Sequence, residues 1–208
     1  MSNFHSYAQF GEDKIIQTYF PEGYKGVFID VGAVDGYAMS NSLHFEKHGW
    51  FGICVEANPE MYEALKMNRV AAVHAAVGSE DKLEVEFNVV NLSAQGGNET
   101  AISAVTLDER LLKDHDFLKP IIYKVNVPMK KLDTILKDYP AVDKIDFLSI
   151  DTEGTELEVL KGFDIARWMP KLFVIENKYN DPWIEEYLKP FGYTKVLRNQ
   201  VNDFYTRL

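Results

Sequence analysis

Apolar and polar positions come in alternating blocks along the chain. Short apolar runs bounded by turn residues are followed by stretches with one apolar helical face, the pattern of a parallel sheet with crossover helices. Strands are predicted at Val27–Val31, Phe51–Val55, Ala72–Ala76, Phe147–Ile150 and Leu172–Ile175. Helices are predicted between them, over Ser42–His48, Pro59–Asn68, Thr155–Gly162 and Pro182–Lys189. Pro59 suits a first helical turn and Gly162 a helix end. Tyr193–Leu197 and Asp203–Arg207 are short β-rich runs that would close the sheet as an antiparallel pair. Lys82 to Pro128 reads differently. Leu83–Phe87 alternates with period two, as a half-exposed strand does, and Ile121–Val127 is another strand. Asn91–Thr100 holds Gly96-Gly97 and little apolar content, so it reads as a mobile loop. The expected architecture is three-layer α/β/α, with a mostly parallel seven-stranded sheet and one antiparallel edge strand. Residues 1–208 would form one domain, with 1–25 as an N-terminal cap and 82–128 as a variable insertion or lid.

Composition narrows the function classes. At 208 residues, 46% hydrophobic and 26% charged, the chain is long enough to bury its own core without a metal or disulfide. Lys and Arg number 22 against 32 Asp and Glu, a net charge of −10. That lacks the basic footprint of a phosphate-backbone binder, so nucleic acid is excluded as the main partner. The single cysteine, Cys54, rules out an internal disulfide and any multi-cysteine zinc site, and its apolar surroundings read as core. No stretch approaches the roughly 20 apolar residues of a membrane span, and the first residues lack a secretory pattern. The reading is a soluble, cytoplasmic protein, and a domain fused to other enzyme domains would look the same.

The first strand runs into Asp30-Val31-Gly32-Ala33-Val34-Asp35-Gly36. A glycine-bearing turn after the first buried strand is where doubly wound folds hold a nucleotide-like ligand. A dinucleotide fingerprint needs a middle glycine where this chain has Val34, and Asp30 would repel a pyrophosphate. S-adenosylmethionine, with an ammonium, a sulfonium and no phosphate, fits better. Glu56, at the end of the second strand and 20 residues past Gly36, stands where an acid would hold ribose hydroxyls. Ser40-Asn41-Ser42 reads as a helix N-cap whose free N–H groups would receive the ligand's carboxylate.

Several segments then resemble the FkbM family of S-adenosylmethionine-dependent methyltransferases, and the resemblance covers most of the chain. They are Tyr7–Asp13, Phe28–Gly36, Ser40–Ser42, Glu46–Trp50 and Gly52–Pro59, followed by Asp146–Gly154 and Glu156–Gly162. Val34 departs from the asparagine that the family often has in the turn. The resemblance implies a Rossmann-like class I methyltransferase fold and O-methylation, commonly of sugar hydroxyls or secondary-metabolite scaffolds. It also implies that Gln9 and Asp13 fold over the cofactor, and that Ala57 joins Asp30, Gly32, Gly36, Ser40, Asn41, Glu56 and Asp151 around it.

A second constellation lies at the ends of the fourth and fifth predicted strands. Asp151, Glu176 and Asn177 would offer three oxygen ligands on one side of a pocket, which suits Mg²⁺ or Mn²⁺. This resembles the Asp…Asp-Asn metal site of catechol-type O-methyltransferases, with Glu176 in place of the second aspartate. Without a metal, the same acids would hydrogen-bond substrate. Methyl transfer needs an aligned acceptor oxygen and a home for its proton, so Asp151, Glu153 and Glu176 are the candidate catalytic groups. Glu156 and Glu158 fall on the following helix and read as solvated or as stabilising its first turns. His44 and His48 have a chelating i, i+4 spacing but no third ligand; His74 and His115 carry no further signal. Tyr37, Tyr179 and Trp183 would wall a ring-shaped acceptor, whereas Trp50 and Trp168 read as core. The leading reading is O-methylation of a sugar or glycan hydroxyl, probed against two others: O-methylation of a small secondary metabolite, and a non-catalytic glycan-binding domain.

Overall fold

In a computed structural model describing residues 4–91, 103–115 and 121–207, the buried runs become adjacent strands of one sheet. Its members are β1 (Val27–Val31), β2 (Phe51–Glu56), β3 (Ala72–His74), β7 (Phe147–Ile150), β8 (Leu172–Glu176), β9 (Tyr193–Asn199) and β10 (Asn202–Arg207). Their order is β3-β2-β1-β7-β8-β10-β9, parallel except for β10, which runs antiparallel to both neighbours. The antiparallel strand is therefore not at the edge. Asp203, Phe204 and Tyr205 of β10 are fully buried on both faces, while β9 exposes Val196 and Leu197, so β10 takes the inner place and β9 the edge.

Period two sorts the strand residues between layers. Ile29, Val31, Ile53, Val55, Leu148 and Ile150 point to one face. They pack on α5 (Leu132–Leu136), α6 (Glu156–Lys161), α7 (Ile165–Trp168) and α8 (Trp183–Leu188). Phe28, Cys54, Phe147, Leu172 and Val174 point to the other, against α1 (Glu12–Gln17), α2 (Leu43–Lys47) and α3 (Pro59–Asn68). Trp50 and Trp168 lie in these two cores. The short helices α1, α5 and α7 were not among the predicted ones.

The predicted strand Ala72–Ala76 is divided. β3 stops at His74, and β4 (Ala76–Val77) pairs with β6 (Ile121–Lys130), which also carries β5 (Lys82–Asn91). This second, three-stranded sheet has its own small core of Ala76, Phe87, Val89 and Val127. α4 (Glu109–His115) lies between β5 and β6 in the chain. The glycine-rich loop expected at Asn91–Thr100 falls, beyond Asn91, outside the described residues. No helix among the described residues is long and apolar enough to cross a membrane.

Candidate active site

Chain order along the sheet reverses between β1 and β7, and a crevice opens at the carboxyl ends of those strands, as it does in doubly wound folds. Gly32, directly after β1, has φ +83°, and a Cβ there would overlap the carbonyl oxygen of Asp151 at the end of β7. Only glycine lets the two strand ends approach so closely. Val34 follows with φ +51°, a left-handed conformation that is costly for a β-branched residue. Glu56 holds the turn in this shape. One carboxylate oxygen accepts the N–H of Val34 at 2.9 Å, and the other accepts that of Asn58 at 2.6 Å. Burial pushes its pKa up to about 7 even though these backbone donors favour the charged form.

Asp30 is buried and lines the crevice, yet one of its oxygens accepts the hydroxyl of Ser42. Burial raises its pKa, opposed chiefly by the positive charge of Arg69. Arg69 is the residue that sequence reasoning missed. It directly follows α3 and is buried beneath the glycine turn. Its guanidinium donates to Ser42 Oγ at 2.9 Å, to Glu46 at 2.9 Å and to the Gly36 carbonyl at 3.2 Å. Gly36 must lack a side chain because a Cβ would press on Arg69 Cγ.

The cap before α2 is made differently from the expectation. Ser40 Oγ accepts the N–H groups of Ser42 and Leu43, so those two donors are spent inside the protein. Asn41 reaches Ser149 of β7 at 3.1 Å and also faces the crevice.

The crevice runs from Gln9, Asn41 and Asn202 past the glycine turn to Ala57, Met61, Val77, Phe87 and Val105. Its apolar end is therefore built partly by the second sheet, a contribution the sequence hid because β5 lies far from β1 along the chain. Gln9 lines the opening, but Asp13 does not. Asp13 is fully buried, accepting the hydroxyl of Ser6 at 2.6 Å and the N–H of Tyr7 at 2.7 Å. It shapes the segment that carries Gln9. Glu12, equally buried, ties this segment to the hairpin by accepting the amides of Asn199 and Asn202, both at 3.1 Å.

Asp151, Glu153 and Glu176 converge: one oxygen from each lies within 4.8 Å of the others. Burial is the main cause of their raised pKa values, with mutual repulsion adding to it, and that of Asp151 reaches about 7. The interaction between Asp151 and Glu176 favours the charged form of Asp151 and the neutral form of Glu176, as it does when two close carboxyls share a proton. Glu153 has φ +56° and is followed by Gly154 at +109°, a sharp turn that brings its carboxyl group back toward the strand end.

Asn177 does not join the cluster. Its amide donates to Asp203 and the Asp181 carbonyl, both at 2.9 Å, and its oxygen accepts the Asp181 N–H at 2.8 Å. Glu153 is the third carboxyl of the cluster. Glu156 is also structural, accepting the N–H groups of Thr152 and Gly154 at 3.0 Å.

His44 and His48 stack at 4.1 Å, each with Nδ1 on a backbone carbonyl, and His74 contacts the Ala57 carbonyl at 3.0 Å. The His115 side chain lies outside the described residues. A second cleft, sharing Glu153 with the first, is walled by Tyr179 and Trp183. Tyr37 stands apart from it, edge-on to Tyr7 at 5.7 Å.

The chain is similar to known methyltransferases. A curated relative, Methyltransferase sdnD of Sordaria araneosa, is 34% identical over 74 residues, 32% of this chain and 27% of that protein. Methyltransferase 1 of Beauveria bassiana is 35% identical over 46 residues, 22% of this chain and 18% of that protein. The matches thus span well under two thirds of either relative. Among solved structures, Methyltransferase FkbM from Methylobacillus flagellatus KT superposes with a TM-score of 0.56 at 17% identity, over 92% of this chain and 47% of that one. At that identity the likeness concerns the fold. The model of the methyltransferase FkbM domain matches residues 30–195, from the glycine turn to the first strand of the hairpin. With most of its length inside that match, the chain belongs to the FkbM methyltransferase family.

Proposed function

We propose that the protein transfers a methyl group from S-adenosylmethionine to a hydroxyl oxygen, with a saccharide as the leading acceptor class. The observation that carries this reading is the continuity of the crevice. At one end Glu56 and the apolar wall of Met61, Val77 and Phe87 suit a nucleoside, and at the other lie carboxyl groups of raised pKa. The donor set fits the cofactor, because the turn that would meet a pyrophosphate in a dinucleotide site is flanked here by Asp30 and Glu56. S-adenosylmethionine, when bound, supplies an electrophilic methyl carbon for in-line displacement. Glu56 would accept the ribose hydroxyls, while Asp30, through Ser42, keeps the Ser40–Ser42 segment against the crevice. Asp151 or Glu153 would take the acceptor proton as the new C–O bond forms and the C–S electron pair returns to sulfur. A pKa near 7 suits that proton transfer.

A divalent ion is the second part of the proposal. Asp151, Glu153 and Glu176 form an all-oxygen set that would hold Mg²⁺ or Mn²⁺, and the ion would polarise the acceptor hydroxyl. Asn177, with both ends of its amide engaged, is not among the ligands. Calorimetry with S-adenosylhomocysteine tests the cofactor site, and no binding to the wild-type protein would remove the enzymatic reading. Glu56→Ala should weaken binding about 10- to 150-fold, the loss of a charge-assisted hydrogen bond worth ~1.5–3 kcal/mol. Chelation should abolish turnover and leave cofactor binding intact. Full activity in excess chelator, with no metal in the protein, would remove the ion and leave the carboxylates as base.

A further inference from the structure

We propose that the second cleft is the acceptor subsite and that it selects uncharged pyranose rings over phosphorylated ones. This deepens the methyl-transfer reading and rests on it. Glu153 lines both clefts, so a ring in the second would reach the same carboxyl group that faces the cofactor crevice. The other walls come from α4, the loop after β8 and the start of α8.

Two features of these walls define the ligand. The first is aromatic. Of the three tryptophans, Trp50 and Trp168 are 5% and 8% exposed, whereas Trp183 is 45% exposed at the cleft. An indole left open beside hydrogen-bond acceptors offers a flat apolar face to a ring with C–H bonds on one side and hydroxyls at its edge. Tyr179 is fixed nearby, its ring under the Arg110 guanidinium at 4.0 Å and its hydroxyl on Asp114 at 3.0 Å.

The second feature is charge. Among the described lining residues, five carboxyl groups (Asp108, Glu153, Glu156, Glu176 and Asp181) face two cations. Both cations are already paired. Arg110 is clamped by Asp108 at 2.7 Å and Asp181 at 2.8 Å, and Lys178 holds Asp114 at 3.2 Å. A phosphate entering here would meet acids without a cation in the described wall that could be recruited unless an ion pair broke. Neutral hydroxyls would find acceptors.

The test uses full-length protein labelled with 5-fluorotryptophan and saturated with S-adenosylhomocysteine, its Trp183 resonance assigned with Trp183→Phe. Methyl glucoside, galactoside, mannoside and rhamnoside are titrated, along with the 6-phosphates of the first three. The expected result is a saturable shift of the Trp183 fluorine by at least one neutral glycoside, with its phosphate binding at least tenfold more weakly. Asp181→Asn, which loosens the Arg110 clamp, should narrow that gap. The proposal is overturned if every neutral glycoside leaves Trp183 unmoved, if phosphates bind as well, or if the gap in Asp181→Asn is unchanged. Calorimetry on the same sample reports cofactor binding separately, so failure of the methyl-transfer reading is recognisable on its own.

Discussion

Val34 is the one β-branched residue that the glycine turn forces into a left-handed backbone, with φ +51°. The strain is tolerated because Glu56 holds its N–H, and relieving it should stabilise the protein. A left-handed conformation costs a residue of this type about 1–2 kcal/mol. Val34→Gly and Val34→Asn should therefore raise the melting temperature by roughly 2–4 °C per kcal/mol recovered at this chain length. Lower melting temperatures in both variants would show that the Val34 side chain contributes more than its backbone costs. Arg69 poses the opposite case. Its charge lies among Asp30, Glu46 and two serines, almost out of reach of water. Arg69→Met leaves buried carboxylates without their partner, a loss of about 3–5 kcal/mol in urea unfolding at neutral pH. A loss below about 1 kcal/mol would mean that Glu46 and Asp30 find water or protons instead.

At the scale of elements, the second sheet changes the meaning of the chain between residues 82 and 130. Along β5, Leu83 lies at the register shift between Lys82 and Val85 and is almost completely exposed, whereas Phe87 is buried and lines the crevice. The sheet is thus a wall of the crevice. Phe87→Ala should weaken S-adenosylhomocysteine about tenfold, the loss of ~1–1.5 kcal/mol of aromatic contact, while Leu83→Ala should leave affinity unchanged. Equal affinities for the two variants would mean that the sheet does not touch the ligand. The period of Leu83–Phe87 was legible as a half-exposed strand, but the register shift that parts Leu83 from Phe87 was not. What no local pattern conveys is the departure of the chain after His74 into another sheet. That break depends on β4 meeting β6, more than forty residues later.

Across the whole molecule, acidic side chains are concentrated at the carboxyl ends of the strands, and this gives stability a pH dependence. Glu56 has an ordinary pKa near 4.5 when unfolded and about 7 when folded, because burial penalises its charge. Between those values the folded state keeps a proton that the unfolded state has lost, so stability falls as pH rises through that window. Asp30 and Asp151 shift in the same direction. The ligand-free protein should lose about 1.6 kcal/mol from Glu56 alone between pH 5.5 and 7, the equivalent of ~1.2 pH units of differential protonation, since Glu56 is half deprotonated in the folded state by pH 7. Thermal unfolding followed across that range checks it. A melting temperature that rises toward pH 7 would show that the backbone donors on Glu56 outweigh its burial.

The order of strands and helices, the glycine turn, the acid ending the second strand and the acids after the fourth were all written locally. A strand's period, a helix's cap and a turn's glycine depend on neighbours a few residues away, so one sequence displays them. Only the assembled sheet decided which acids meet. β10 enters between β8 and β9 because Asp203, Phe204 and Tyr205 need cover on both faces, and this places the buried Asp203 beside Asn177. A buried carboxylate must be given donors, so the Asn177 amide goes to Asp203 and away from the acidic cluster. Glu153, turned back by its left-handed backbone, fills the vacant position. Arg69 is drawn beneath the glycine turn for the same reason: Asp30 and Glu46 are brought together there, and burial makes their charge costly without a cation.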